Sequence, residues 1–239
     1  MSDISGGYVI RESLRSQFGF LFLSLLLAIA IPPLLPRGPL VSVIFVVLLT
    51  AVLLSGLFAV VSDRTHFLIG AAMVAPALVI NWWGEAVSSQ TLDTLGTVLA
   101  VAFLCYLTWL ILLHIIVARR VDANIVFAAI CVYMLIGWIC GLGFDIIEVL
   151  NGEALALAGG ASGRALQSGE GMYYSLVTLT TLGYGDITPV SPVARSLAVL
   201  EAVAGQLFLV VMIARLVGLQ IAHGSGGHSE LENARSSTD

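Results

Sequence analysis

Six runs of apolar residues, each close to the length of a bilayer crossing, constrain this chain more than any other feature. They are Phe18–Leu35, Leu40–Val61, Phe67–Trp83, Leu95–Val117, Ile125–Phe144 and Val193–Ile221. A helix that crosses the hydrocarbon core needs about 20 such residues. Hydrophobic residues make up 59% of the 239 positions and charged residues only 10%, which excludes an ordinary soluble domain. The third run is short and is expected to extend past Trp83. The last contains Arg215, whose long side chain is expected to snorkel toward the cytoplasmic interface.

Helix breakers separate the runs. Pro32, Pro33, Pro36, Arg37 and Gly38 part the first two, and Ser62 to His66 part the next pair. Gly84 to Gln90 follows the third run and Arg119 to Asp122 the fourth. A segment rich in Gly, Ala and Ser, Asn151 to Gly169, reads as a loop. Ala28-Ile29-Ala30 faintly resembles a leader cleavage site, but the polar segment before it and Pro32-Pro33 after it favour a retained helix.

All ten basic residues are arginine. With both termini in the cytoplasm, the inner side carries Arg11, Arg15, Arg64, Arg119, Arg120, Arg215 and Arg235, and the outer side Arg37, Arg164 and Arg195. That bias fixes the expected orientation. The chain divides into a cytoplasmic segment 1–17, a four-helix region 18–120, a module 121–222 and a short polar tail 223–239 expected to be disordered. The lysine-free, alanine-rich composition suggests a bacterial inner membrane. Cys105, Cys131 and Cys140 lie in apolar runs and read as small buried hydrophobes.

Between the last two runs lies Gly171 to Thr180, long enough for a half-helix and too short for a span. It leads into Thr180-Thr181-Leu182-Gly183-Tyr184-Gly185-Asp186. Alternating glycines tolerate positive φ, so successive carbonyls can turn to one side. A row of such oxygens can replace the water around a dehydrated cation. Irregular backbone at membrane depth survives only inside protein or beside a wet cavity. The stretch occurs once, so one chain cannot surround a pore.

These residues resemble the pore module of tetrameric potassium channels, over roughly Ile125 to Ile221, with Leu182 where valine usually stands. The resemblance implies an all-α membrane protein with six transmembrane helices, a re-entrant pore helix and an extended selectivity filter. It implies that Thr181, Leu182, Gly183 and Tyr184 coordinate K+, with Gly185 completing the backbone path and Asp186 at the outer mouth. Tyr173 and Tyr174 match an aromatic pair, usually tryptophan, that braces the filter: Tyr173 toward Asp186 and Tyr174 toward Tyr184. Val177 stands where some members carry a glutamate. Gly205 matches the hinge glycine of the inner helix.

Other residues are read from their own surroundings. Glu201 is an acid inside the sixth run, one turn before Gly205; an ionisable residue there is a functional candidate, and it is expected to support pore-helix or filter backbone. Gly137 and Gly141 are spaced for close packing, expected against the sixth helix. His114 reads as a packed polar residue. Trp82, Trp83 and Asn81 read as an interfacial belt, and Glu148, Glu153 and Glu170 as a solvated, cation-attracting rim.

The fourth run decides against a voltage sensor. The field does about 2.3 kcal/mol per charge per 100 mV, so steep gating needs several basic residues in one helix. Leu95 to Val117 contains none except His114, and Arg119 and Arg120 come only at its end. The sequence is therefore read as a potassium-selective channel, a homotetramer without cofactor or catalysis, conducting K+ passively. The alternatives are a non-selective monovalent cation channel and a regulatory membrane subunit. No nucleophile–base pair, phosphate loop or basic patch suggests an enzyme or a nucleic-acid partner.

Overall fold

The computed structural model describes residues 18–34, 39–59, 64–118, 123–152, 154–157 and 169–236, excepting the side chains of 33, 39 and 219–236. The segment 1–17 and Arg11, Arg15, Arg37, Arg119, Arg120, Glu153 and Arg164 lie outside the described residues. Helix α1 covers Phe18–Ala30, and a 3-10 turn follows at Pro32–Leu34. Then come α2 (Pro39–Ala59), α3 (Arg64–Val87), α4 (Gln90–Val117), α5 (Ala123–Asn151), β1 (Leu155–Leu157), α6 (Glu170–Leu179), β2 (Ile187–Pro189) and α7 (Pro192–Ser236).

Among the described residues, five helices are long and apolar enough to cross a membrane: α2, α3, α4, α5 and α7 as far as Gly218. The expected first span is a shorter apolar helix over the residues described. Its buried positions, Phe18, Leu21, Leu25 and Ala28, recur at helical spacing and join one cluster with residues of α2 to α5. The Cys131 thiol on α5 points to the Phe18 carbonyl at 3.7 Å.

The structure corrects several expectations. The loop after α5 is not wholly irregular: β1 pairs antiparallel with β2, Ala156 opposite Thr188, so strand backbone enters an otherwise helical fold. Helix α7 runs from Pro192 to Ser236, which neither bears out nor overturns the expectation for the tail. Cys105 is exposed, while Cys131 and Cys140 are buried. Asn81 is not part of an exposed belt. It is buried and donates to the Ala77 carbonyl at 2.8 Å, whereas Trp82 and Trp83 are exposed.

Gly137 and Gly141 pack on α6 rather than on α7. A Cβ at Gly141 would lie 2.9 Å from the Met172 backbone, and one at Gly137 would meet Leu176 at 3.0 Å. The glycine face thus lets the half-helix settle against α5. A second cluster, with Phe144, Leu155, Tyr174, Ile187, Ala194 and Ala198, joins α5, α6, the ribbon and α7 above it.

Candidate functional site

The site is built where α6 ends. Ten residues of helix rise about 15 Å, half of a hydrocarbon core of about 30 Å. Asp145 on α5 accepts the Gly171 backbone N–H in the first turn of α6. An acceptor there satisfies one of the orphan donors of a helix start. At the other end, the Tyr133 hydroxyl on α5 donates to the Leu179 carbonyl at 3.1 Å. Gly205 on α7 closes on the same residue: a Cβ would lie 2.6 Å from the Leu179 side chain and 3.2 Å from its carbonyl oxygen. Helix α7 is continuous through Gly205, so in this conformation the glycine serves close approach rather than a bend.

A buried polar tie joins the three helices. The Ser175 hydroxyl on α6 lies 2.7 Å from the Gly137 carbonyl on α5 and bonds Oε1 of Glu201 on α7. Glu201 is 1% exposed. Its Oε2 has no partner among the described residues. A buried carboxyl is retained only at a cost, and its bond to the half-helix offsets part of that cost.

From Thr180 the chain leaves the helix. The N–H of Thr181 reaches the Thr178 carbonyl at 2.9 Å, and the N–H groups of Leu182 and Gly183 reach the Val177 carbonyl at 2.9 and 3.3 Å. Beyond them, φ is +58° at Thr181, +58° at Gly183 and +77° at Gly185, and not positive at Leu182 or Tyr184. Alternation of this kind is what a one-sided row of carbonyls needs. Thr181 carries it without being glycine, and a β-branched residue at positive φ is strained. Sequence reasoning offered no signal for that third position.

The loop from Thr180 to Asp186 is exposed; Leu182 is 54% and Tyr184 67% accessible. Its outer end is fastened. The Tyr173 hydroxyl donates to Asp186 at 2.7 Å, and this bond raises the phenol above its ordinary value. The other Asp186 oxygen accepts the Ile187 N–H at 3.0 Å, where β2 begins. Tyr174 packs edge-on against Phe144 at 4.9 Å. Glu148 does not belong to a free rim: its Oε2 accepts the Ala154 N–H at 2.6 Å and so seats β1. Glu170 occupies the first turn of α6.

Arg215, expected to snorkel toward the cytoplasmic interface, has a defined partner. Its guanidinium donates to carbonyls at the C-terminus of α4. Ser175, Tyr133, Asp145 and Arg215 were all missed as site-building residues. Each reads in the sequence as a single polar residue in or beside an apolar run, and only the fold supplies its partner. His114 lies against the Phe18 ring, centroids 6.3 Å apart.

No curated protein and no solved structure matches the chain. Residues 123–219, from the start of α5 to the end of the membrane part of α7, match the family model described as Ion channel, and over α5, α6, the loop and α7 the chain is therefore similar to ion channels.

Proposed function

We propose that the protein is a subunit of a potassium-selective channel, in which four copies set their Thr181–Gly185 loops around one axis. Thr181, Leu182, Gly183 and Tyr184 then present main-chain oxygens to K+ in place of its hydration shell. Gly185 completes the path, and Asp186, held by Tyr173, stands at the outer mouth. The half-helix α6 aims its negative end at the space below, where it favours a cation. Ser175 and Glu201 fix the half-helix, and Gly205 allows α7 to approach it.

The observation that carries this reading is the alternation of positive φ at Thr181, Gly183 and Gly185, at the end of a half-length helix between two membrane-length ones. A lone chain leaves that loop exposed, which suits a loop completed by other copies. Conduction is passive and only weakly dependent on voltage, since α4 has no basic residue within its length apart from His114. Both termini lie in the cytoplasm of a bacterial inner membrane, with the segment 18–34 supplying the sixth crossing.

The test is flux into liposomes holding the purified protein, under opposed potassium and sodium gradients and followed with a potential-sensitive dye. The expected potential is the one set by the potassium gradient. Sodium as permeant as potassium would refute the selectivity, and no flux from intact tetramers would refute the channel.

A further inference from the structure

Arg215 joins two parts of the chain that are about a hundred residues apart in sequence. Its Nη1 donates to the Ile115 carbonyl, and its Nη2 to those of Ile116 at 2.6 Å and Ala118 at 2.9 Å. These carbonyls belong to the end of α4, where the helix has no further turn to supply donors. The Ala118 N–H turns back to the His114 and Ile115 carbonyls at 3.2 and 3.3 Å, which leaves Ile116 and Ala118 to the guanidinium. A fixed positive charge there also meets the negative end of the α4 dipole. Each group supplies what the other lacks: the guanidinium gains acceptors, and carbonyls left over at the helix end gain donors.

The contact sits on the attached face of α7. Phe208, Met212 and Leu216 pack on the main core, and Phe208 stacks on Tyr133 of α5 at 6.3 Å. Val210, Val211, Ile213 and Val217 point away and are exposed. Arg215 stands ten residues past Gly205, about 15 Å along the helix. Helix α4 in turn packs on α3, to which it is joined by a tight turn at Ser88 and Ser89.

We propose that Arg215 is a positioning residue that couples the four-helix region to the inner half of α7, so that a displacement of the α4 terminus is delivered to the helix lining the conduction path. The assignment of α7 as the lining helix rests on the channel reading above; the tie itself does not. The region α1–α4 therefore acts on the pore mechanically, through a helix end, without a charged helix moving in the field.

The experiment compares the full-length wild type with R215A and R215K in two measurements. Single-channel recording in symmetric potassium reads open probability and unitary conductance separately. Hydrogen–deuterium exchange in nanodiscs reads the amides of 206–218 against those of 192–204. In R215A the open probability is expected to shift about tenfold, the usual scale of a coupling between sites, with unitary conductance and reversal potential unchanged. Exchange is expected to quicken in 206–218 only. R215K keeps the charge but not the planar fork, and should fall between. An unchanged open probability overturns the coupling even where exchange quickens, because the residue is then merely structural. Unchanged exchange in R215A overturns the tie in every case. Should the wild type pass no ions, the channel reading fails by itself and the exchange result alone decides the tie.

Discussion

Helices α5 and α7 are close to each other in length within the membrane and in apolar character, yet 56% of the most apolar stretch of α5 is buried and only 22% of that of α7. Helix α5 meets its neighbours inside the chain. Its glycines admit α6, Tyr133 holds the end of α6, and Asp145 holds its start. Helix α7 is attached along one face, and leaves Val199, Leu200, Val203, Leu207, Val210 and Val211 exposed. The difference teaches that hydropathy reports departure from water and not what replaces it. Lipid, the same chain and another copy are equally apolar, so packing, not transfer from water, decides among them. The exposed loop Thr180–Asp186 belongs with α7 in this respect, because it too is left for other copies in the channel reading.

Substitutions on the two sides of this comparison should fail in different ways. The largest effect is expected at Gly183. Its φ of +58° is one that L side chains avoid, and an added Cβ meets nothing within 4 Å. Gly183→Ala therefore strains the loop by about 1–2 kcal/mol without crowding the fold. Its preference for potassium over sodium should be lost in the liposome assay while the helix content holds; a retained preference would break the assignment of the loop.

Next come changes on the buried side. Ser175→Ala removes the hydroxyl shared by Gly137 and Glu201, and leaves a buried carboxyl without its partner. Thermal unfolding of the purified protein should report a loss of about 1–3 kcal/mol. Ser175→Thr, which restores a hydroxyl, should recover part of it. Gly141→Ala drives a Cβ to 2.9 Å from the Met172 backbone, so α6 must back away from α5. A cost of about 1–3 kcal/mol is expected, together with a change in flux, since α6 carries the loop. Wild-type stability and flux in this variant would show that α5 and α6 are not locked as described.

The smallest effect on the chain itself is expected on the outer face of α7. Leu207 is 59% exposed among the described residues. Leu207→Ala should leave the stability of the isolated fold within about 0.5 kcal/mol, but lower the tetramer fraction seen by native mass spectrometry. An equal fall for Ser175→Ala and Leu207→Ala in both measurements would erase the distinction between α5 and α7.

The runs of apolar residues were enough to place α2 to α5 and α7, because their lengths and breakers are local properties. Gly183, Gly185 and the half-length segment before them were legible for the same reason: a need for positive φ and a distance of about 15 Å are written in residue type and count. What escaped was most of the choices that depend on a partner, although Tyr173 does reach Asp186 and Glu201 does reach the half-helix, as the sequence led one to expect. Thr181 shares the backbone of the glycines although its own preference opposes it. Gly137 and Gly141 could face any helix, and the fold gives them α6. Arg215 could have reached the interface, and the fold gives it the open end of α4. β1 was invisible because three residues, Leu155 to Leu157, make a strand only when Ile187 to Pro189 lies beside them. Sequence by itself determined that this chain lives in a membrane and where its backbone may break from helix, since both follow from the free energy of single residues and short windows. Tertiary structure decided most of the meetings between polar groups of different helices, because in a medium without water a group not satisfied within its own helix must find its donor or acceptor in another segment, and the order of residues seldom says which.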